Sequence, residues 1–124
     1  MSMSKATTMA LLALFAAPML ATTVDAHPTL KAANPAAEST APAPTEIRLT
    51  FSEGVIAKFS SAEVKDQAGK KIATGKLATD PKDQKQLIVP LQGPLTAGTY
   101  TVDWIVVSVD THRVNGTYSF KVDR

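Results

Sequence analysis

The sequence predicts an all-β fold, a Greek-key β-sandwich or small barrel of about seven short strands with immunoglobulin-like layering. Three observations point there. From residue 27 onward, several stretches alternate apolar and polar residues with the period of two that a half-buried strand requires. Turn-forming pairs recur between those stretches. No stretch carries the apolar stripe of an amphipathic helix.

In chain order, 29–33 is a weak strand candidate. Residues 36–44 are rich in Ala, Pro, Ser and Thr and have little to bury, so they read as an extended surface connection. Ile47-Arg48-Leu49-Thr50-Phe51 alternates cleanly. Residues 62–65 and 71–77 are weaker strands, and Leu87-Ile88-Val89 is a short apolar run closed by Pro90. Residues 99–109 form the strongest candidate, rich in β-branched and aromatic side chains, with Tyr100, Val102, Trp104 and Val106 on one face. Tyr118, Phe120 and Val122 alternate at the end. Turns are expected at Asn34-Pro35, Asp66-Gln67-Ala68-Gly69, Asp80-Pro81, Gly93-Pro94, Ala97-Gly98 and Asn115-Gly116.

Residues 1–26 have a different character. Lys5 lies in a polar start, an apolar run covers 9–17, and Val24-Asp25-Ala26 offers small residues for cleavage. This is the layout of a secretory signal peptide. The apolar run is shorter than the about 20 residues a bilayer-spanning helix needs. Cleavage after Ala26 leaves one 98-residue domain, 27–124, with 12 basic and 10 acidic residues and a net charge of +2. So small an excess argues against nucleic acid or anionic membrane as partner, and the lysines between Lys58 and Lys85 read as a solvated face. The chain has no cysteine, which excludes thiolate metal sites. All four methionines lie in the predicted signal, at positions 1, 3, 9 and 19, so the processed protein has no thioether ligand for copper(I).

The chemistry concentrates on the two histidines. His27 becomes the first residue after cleavage, and His112 lies in Asp110-Thr111-His112 just past the strongest strand. Residues i and i+2 of an extended segment project to one side, so Asp110 and His112 can aim at one point. An N-terminal histidine is itself a chelate, closing a ring on a metal through its α-amine and Nδ1. The amine's ordinary pKa of about 8 lets a divalent ion displace its proton near neutrality. Pro28 has no N–H to surrender, which blocks recruitment of the next backbone amide and keeps in-plane positions open for side chains. Nitrogen-rich sets with an oxygen donor favour copper(II); zinc could use the same groups tetrahedrally. No nucleophile–base pair or oxyanion device is evident, so an enzyme is not expected.

The start His27-Pro28-x-Leu30, the run Leu49-Thr50-Phe51-Ser52-Glu53, and Tyr100-x-Val102-x-Trp104-x-Val106-Val107-Ser108-x-Asp110-x-His112-x-Val114-x-Gly116 with Phe120-x-Val122 closely resemble the CopC family of periplasmic copper-binding, copper-resistance proteins. The resemblance spans essentially the whole of 27–124. It implies a cupredoxin-like sandwich in the periplasm, binding one copper(II) ion through the amine and ring of His27, through His112 and through Asp110. It implies Glu53 as a weak ligand or a neighbour of the site. It also suggests a carrier or buffer for copper homeostasis, resistance or import, with an inner-membrane copper transporter of the CopD type as partner. A monomer is expected. The methionine-rich copper(I) loop of some members has no counterpart here, and Gly54 stands where the family usually has proline. Trp104 reads as core, close enough to the Asp-x-His pair for copper to quench its emission. Two rival readings are a copper-dependent oxidase or monooxygenase with a histidine-brace site, and a metal-free secreted interaction module.

Overall fold

The structure is a computed structural model in which residues 27–123 are described; the signal peptide expected at 1–26 lies outside the described residues. Among the described residues nine strands follow one another: β1 (Leu30–Asn34), β2 (Thr40–Ala41), β3 (Glu46–Phe51), β4 (Ser61–Asp66), β5 (Lys71–Ile72), β6 (Ala78–Asp80), β7 (Asp83–Pro90), β8 (Gly98–Val107) and β9 (Arg113–Val122). One sheet has the order β1-β3-β7-β6 and the other β2-β9-β8-β4-β5. All neighbours are antiparallel except β2, which runs parallel to β9. The chain crosses between the sheets after β1, β2, β3, β5 and β7, so each sheet covers the apolar face of the other.

The core follows from the alternation. Ile47, Leu49 and Phe51 of β3 and Leu87 and Val89 of β7 face Val64 of β4, Tyr100, Val102, Trp104 and Val106 of β8, and Tyr118, Phe120 and Val122 of β9. Across the β8–β9 pair, opposed residues include Tyr100 and Phe120, Val102 and Tyr118, Trp104 and Gly116, and Val106 and Val114. This double column of inward side chains runs toward the end of the sandwich where β8 hands over to β9. Phe51 packs edge-on against Trp104, ring centroids 5.1 Å apart.

The short elements depart from the sequence expectation. The 71–77 candidate is divided: β5 stops at Ile72, Thr74 makes an isolated bridge to Leu91, and β6 begins at Ala78. Residues 36–44 contribute β2, whose neighbours are tied to β9 through Glu38 N–H to Ser119 C=O and Lys121 N–H to Ser39 C=O. Residues 57–59 form one 3-10 turn. Asn115-Gly116 is not a turn. Both residues lie within β9, and Gly116 is required there because the Trp104 indole occupies the space a Cβ would need, 2.3 Å from Cζ2. By contrast, the turn at 66–69 forms as expected: Asp66 Oδ1 accepts from the backbone N–H of Ala68 and Lys70, and Gly69 adopts φ +82°.

Candidate metal centre

The inward column ends in polar residues. The β8–β9 ladder continues one rung past the strands, with Ser108 N–H donating to His112 C=O at 2.8 Å. Ser108 and His112 therefore occupy the core-facing phase of the hairpin, above Val106 and Val114. Ser108 is fully buried and His112 half-buried. Between them Thr111 adopts φ +69°, and its N–H donates to Ser108 C=O at 2.9 Å, closing a tight turn.

Asp110 and His112 converge, but through the tight turn at Thr111 rather than through the extended segment expected from their i, i+2 spacing. Asp110 Oδ2 lies 3.2 Å from His112 Nδ1. The pair is at ion-pair distance but not aligned as a hydrogen bond, and Nδ1 is shielded from solvent without a hydrogen-bond partner. The other carboxylate oxygen, Oδ1, accepts from the Ser108 hydroxyl. That hydrogen bond, more than the neighbouring imidazole, holds the Asp110 carboxyl below the usual carboxylate range.

His27 reaches this end from the first described residue. Its ring centroid lies 4.9 Å from that of His112, with the planes at 68°. The segment that follows His27 is tied to the rest of the fold. Pro28 is buried, Thr29 N–H donates to Ser52 Oγ, and Ser52 N–H donates to Thr29 C=O, both at 2.9 Å. The 52–54 loop in turn grips the 108–112 turn: Val109 N–H donates to Gly54 C=O at 2.9 Å. Gly54 is pressed against Val109, which a Cβ would approach to 3.2 Å. Glu53 therefore sits on a loop bonded on one side to the His27 segment and on the other to the Asp110 segment.

The structure brings together His27 with His112, and His112 with Asp110. Glu53 is half-buried on the adjoining loop; among the described residues no three His, Cys, Asp or Glu side chains form a ready metal cage. The donor set still suits a metal ion. Two imidazoles meet edge-on, the His112 ring has a shielded nitrogen with no hydrogen bond, and a carboxylate is held against it. Ser108 escaped the sequence reading. Its signal was a hydroxyl in phase with Tyr100, Val102, Trp104 and Val106, at a position where the alternation calls for an apolar residue.

Fold and site together define a two-sheet β-sandwich carrying two histidines and a carboxylate in pairwise contact at one end. Comparison with known proteins narrows this class. The family model of the CopC domain matches residues 30–123, and the chain belongs to the CopC family. It is 45% identical over 112 residues to protein YobA of Escherichia coli K12, covering 90% of each chain. It is 40% identical over 115 residues to copper resistance protein C of Pseudomonas syringae pv. tomato, covering 88% of this chain and 91% of that one. The crystal structure of PcoC, a methionine-rich copper resistance protein from Escherichia coli, superposes with a TM-score of 0.71 at 40% identity, covering 79% of this chain and all of that one. The family is one of copper-binding resistance proteins rather than enzymes. Unlike the methionine-rich PcoC, this chain has no methionine beyond position 19. Among the described residues no helix is long and apolar enough to cross a membrane.

Proposed function

We propose that the protein, exported to the periplasm and processed to begin at His27, binds one copper(II) ion and carries or buffers it. The amine and ring nitrogen of His27, an imidazole nitrogen of His112 and a carboxylate oxygen of Asp110 form the ligand set, with Glu53 as a weaker neighbour. The observation that carries this reading is the meeting of the two histidine rings, 4.9 Å apart, with Asp110 3.2 Å from His112. The two histidines are 85 positions apart in a chain holding only two, so chance alone would seldom bring them into contact.

The chemistry expected of this set is capture and release. Amine and imidazole nitrogens give strong in-plane donors for copper(II), and the carboxylates neutralise part of its charge. An incoming donor from a partner would enter at an open position while Asp110 or Glu53 lets go. Such ligand exchange fits hand-over to an inner-membrane transporter of the CopD type, which supplies either import or resistance. With no soft sulfur donor in the processed chain, copper(I) gains no matched site and redox cycling is disfavoured.

The test is a copper(II) titration of the processed protein, followed by electron paramagnetic resonance and Trp104 emission. One equivalent with nitrogen hyperfine coupling supports the reading. Absence of stoichiometric uptake overturns it, and sustained peroxide production with ascorbate would favour an oxidase instead.

A further inference from the structure

Ser108 is the only buried polar or charged residue among the described residues, and it is fully inaccessible. It continues the inward row of Tyr100, Val102, Trp104 and Val106, where an apolar side chain would pack without any polar cost. A hydroxyl buried there is unfavourable unless it is hydrogen-bonded, and this one is bonded twice. It donates to Asp110 Oδ1 and accepts from His112 N–H at 3.1 Å. The backbone of Ser108 adds two more bonds to the same turn, through its N–H to His112 C=O and its C=O to Thr111 N–H. One residue therefore contacts Asp110, Thr111 and His112 at once. The turn needs such control, because Thr111 is β-branched and sits at φ +69°, a conformation that persists only where surroundings enforce it.

The two oxygens of Asp110 are thereby assigned different tasks. Oδ1 is engaged by the hydroxyl, which leaves Oδ2 turned toward His112 Nδ1 at 3.2 Å. We infer that Ser108 is a positioning residue for the metal centre: its hydroxyl fixes which face of the Asp110 carboxylate meets the imidazole and the ion, and locks the Asp-x-His turn in register with His27. This inference rests on the copper(II) reading above. It predicts an effect on the metal that passes through Asp110. A hydroxyl serving only to cap the turn would instead change stability and leave the metal geometry alone. Groups that orient a ligand from behind typically change metal affinity by about 10–100-fold when removed.

The experiment compares copper(II) affinity and paramagnetic spectra of Ser108→Thr and Ser108→Val, each purified as the processed protein beginning at His27. Both variants add the same bulk to the buried site and differ only in hydroxyl against methyl, so any packing penalty is shared. Ser108→Val should bind copper(II) about tenfold or more weakly than Ser108→Thr and show altered hyperfine parameters. Repeating the pair in an Asp110→Ala background should remove most of that difference, since the hydroxyl then has no carboxylate to orient and keeps only the bond it accepts from His112 N–H. Equal affinities and spectra for the Thr and Val variants overturn the inference, as does a difference that survives intact in the Asp110→Ala background. If the wild-type protein takes up no copper(II), the functional reading itself fails, an outcome distinct from either of these.

Discussion

Replacing Gly116 by alanine tests how the core supports the site. Gly116 lies opposite Trp104 in the β8–β9 pair, and an added Cβ would stand 2.3 Å from Cζ2, 2.8 Å from Cε2 and 3.1 Å from Cη2 of the indole. Ordinary contact begins near 3.4 Å, so the ring must retreat by about 1 Å. It has little room, being 7% exposed and packed against Phe51. Overpacking of this kind costs ~1–3 kcal/mol. For a domain of this size each kcal/mol lowers Tm by ~4–8 °C, so Gly116→Ala should melt roughly 5–20 °C below wild type. The assay is thermal unfolding of the metal-free protein by circular dichroism, with the emission of Trp104, the chain's single tryptophan, as a local probe. The same substitution made on top of Trp104→Leu should lose most of its penalty, because the indole is then gone. A Tm within about 2 °C of wild type, or a full penalty that persists in the Trp104→Leu background, would refute the close-approach explanation.

Two further outcomes follow from the site and the sheet edge. His112→Ala removes a proposed ligand and should weaken copper(II) binding by more than about 100-fold, whereas Glu53→Gln should cost about tenfold or less; isothermal titration measures both, and equal losses would contradict the ranking of the two residues. Asp80 accepts from Lys82 N–H and from Arg48 Nη1, each at 2.8 Å, and these bonds hold its carboxyl below the ordinary range. A folded pKa below the unfolded one gives stabilisation that is full above the unfolded value of about 4 and disappears as pH falls through the folded value. The urea midpoint of wild type should therefore exceed that of Asp80→Asn at pH 7, and the gap should close on acidification below the unfolded carboxylate range.

Much of this fold was legible because its strongest strands are amphipathic. β3, β8 and the latter half of β9 alternate strictly, so Ile47, Leu49, Phe51, Tyr100, Val102, Trp104, Val106, Tyr118, Phe120 and Val122 were readable as core from periodicity alone. The small elements were not. β2 is two residues long and exists because Thr40 and Ala41 lie parallel to Lys121 and Val122, a tertiary pairing without local signature. Asn115-Gly116 carries the residues of a tight turn, yet Gly116 answers to a side chain on the neighbouring strand. At the site, the sequence singled out the residue types that meet, His27 with His112 and His112 with Asp110, but the latter pair converges through a turn with Thr111 at φ +69° and not through the extended geometry the spacing suggested. What spacing could not reveal was the lacing of three distant segments through Thr29–Ser52 and Gly54–Val109, or the buried Ser108 hydroxyl that joins Asp110 to the His112 backbone.

The proposed chelate depends on a free amine at His27. The most direct measurement compares copper(II) affinity for the protein beginning at His27 with that of a form carrying one additional residue ahead of it, which converts the amine to an amide while leaving the imidazoles and Asp110 in place. A loss of about 100-fold or more, with fewer coupled nitrogens in the paramagnetic spectrum, is the predicted result. Undiminished affinity and an unchanged spectrum in the extended form would contradict the chelate and, with it, the proposed mode of copper capture.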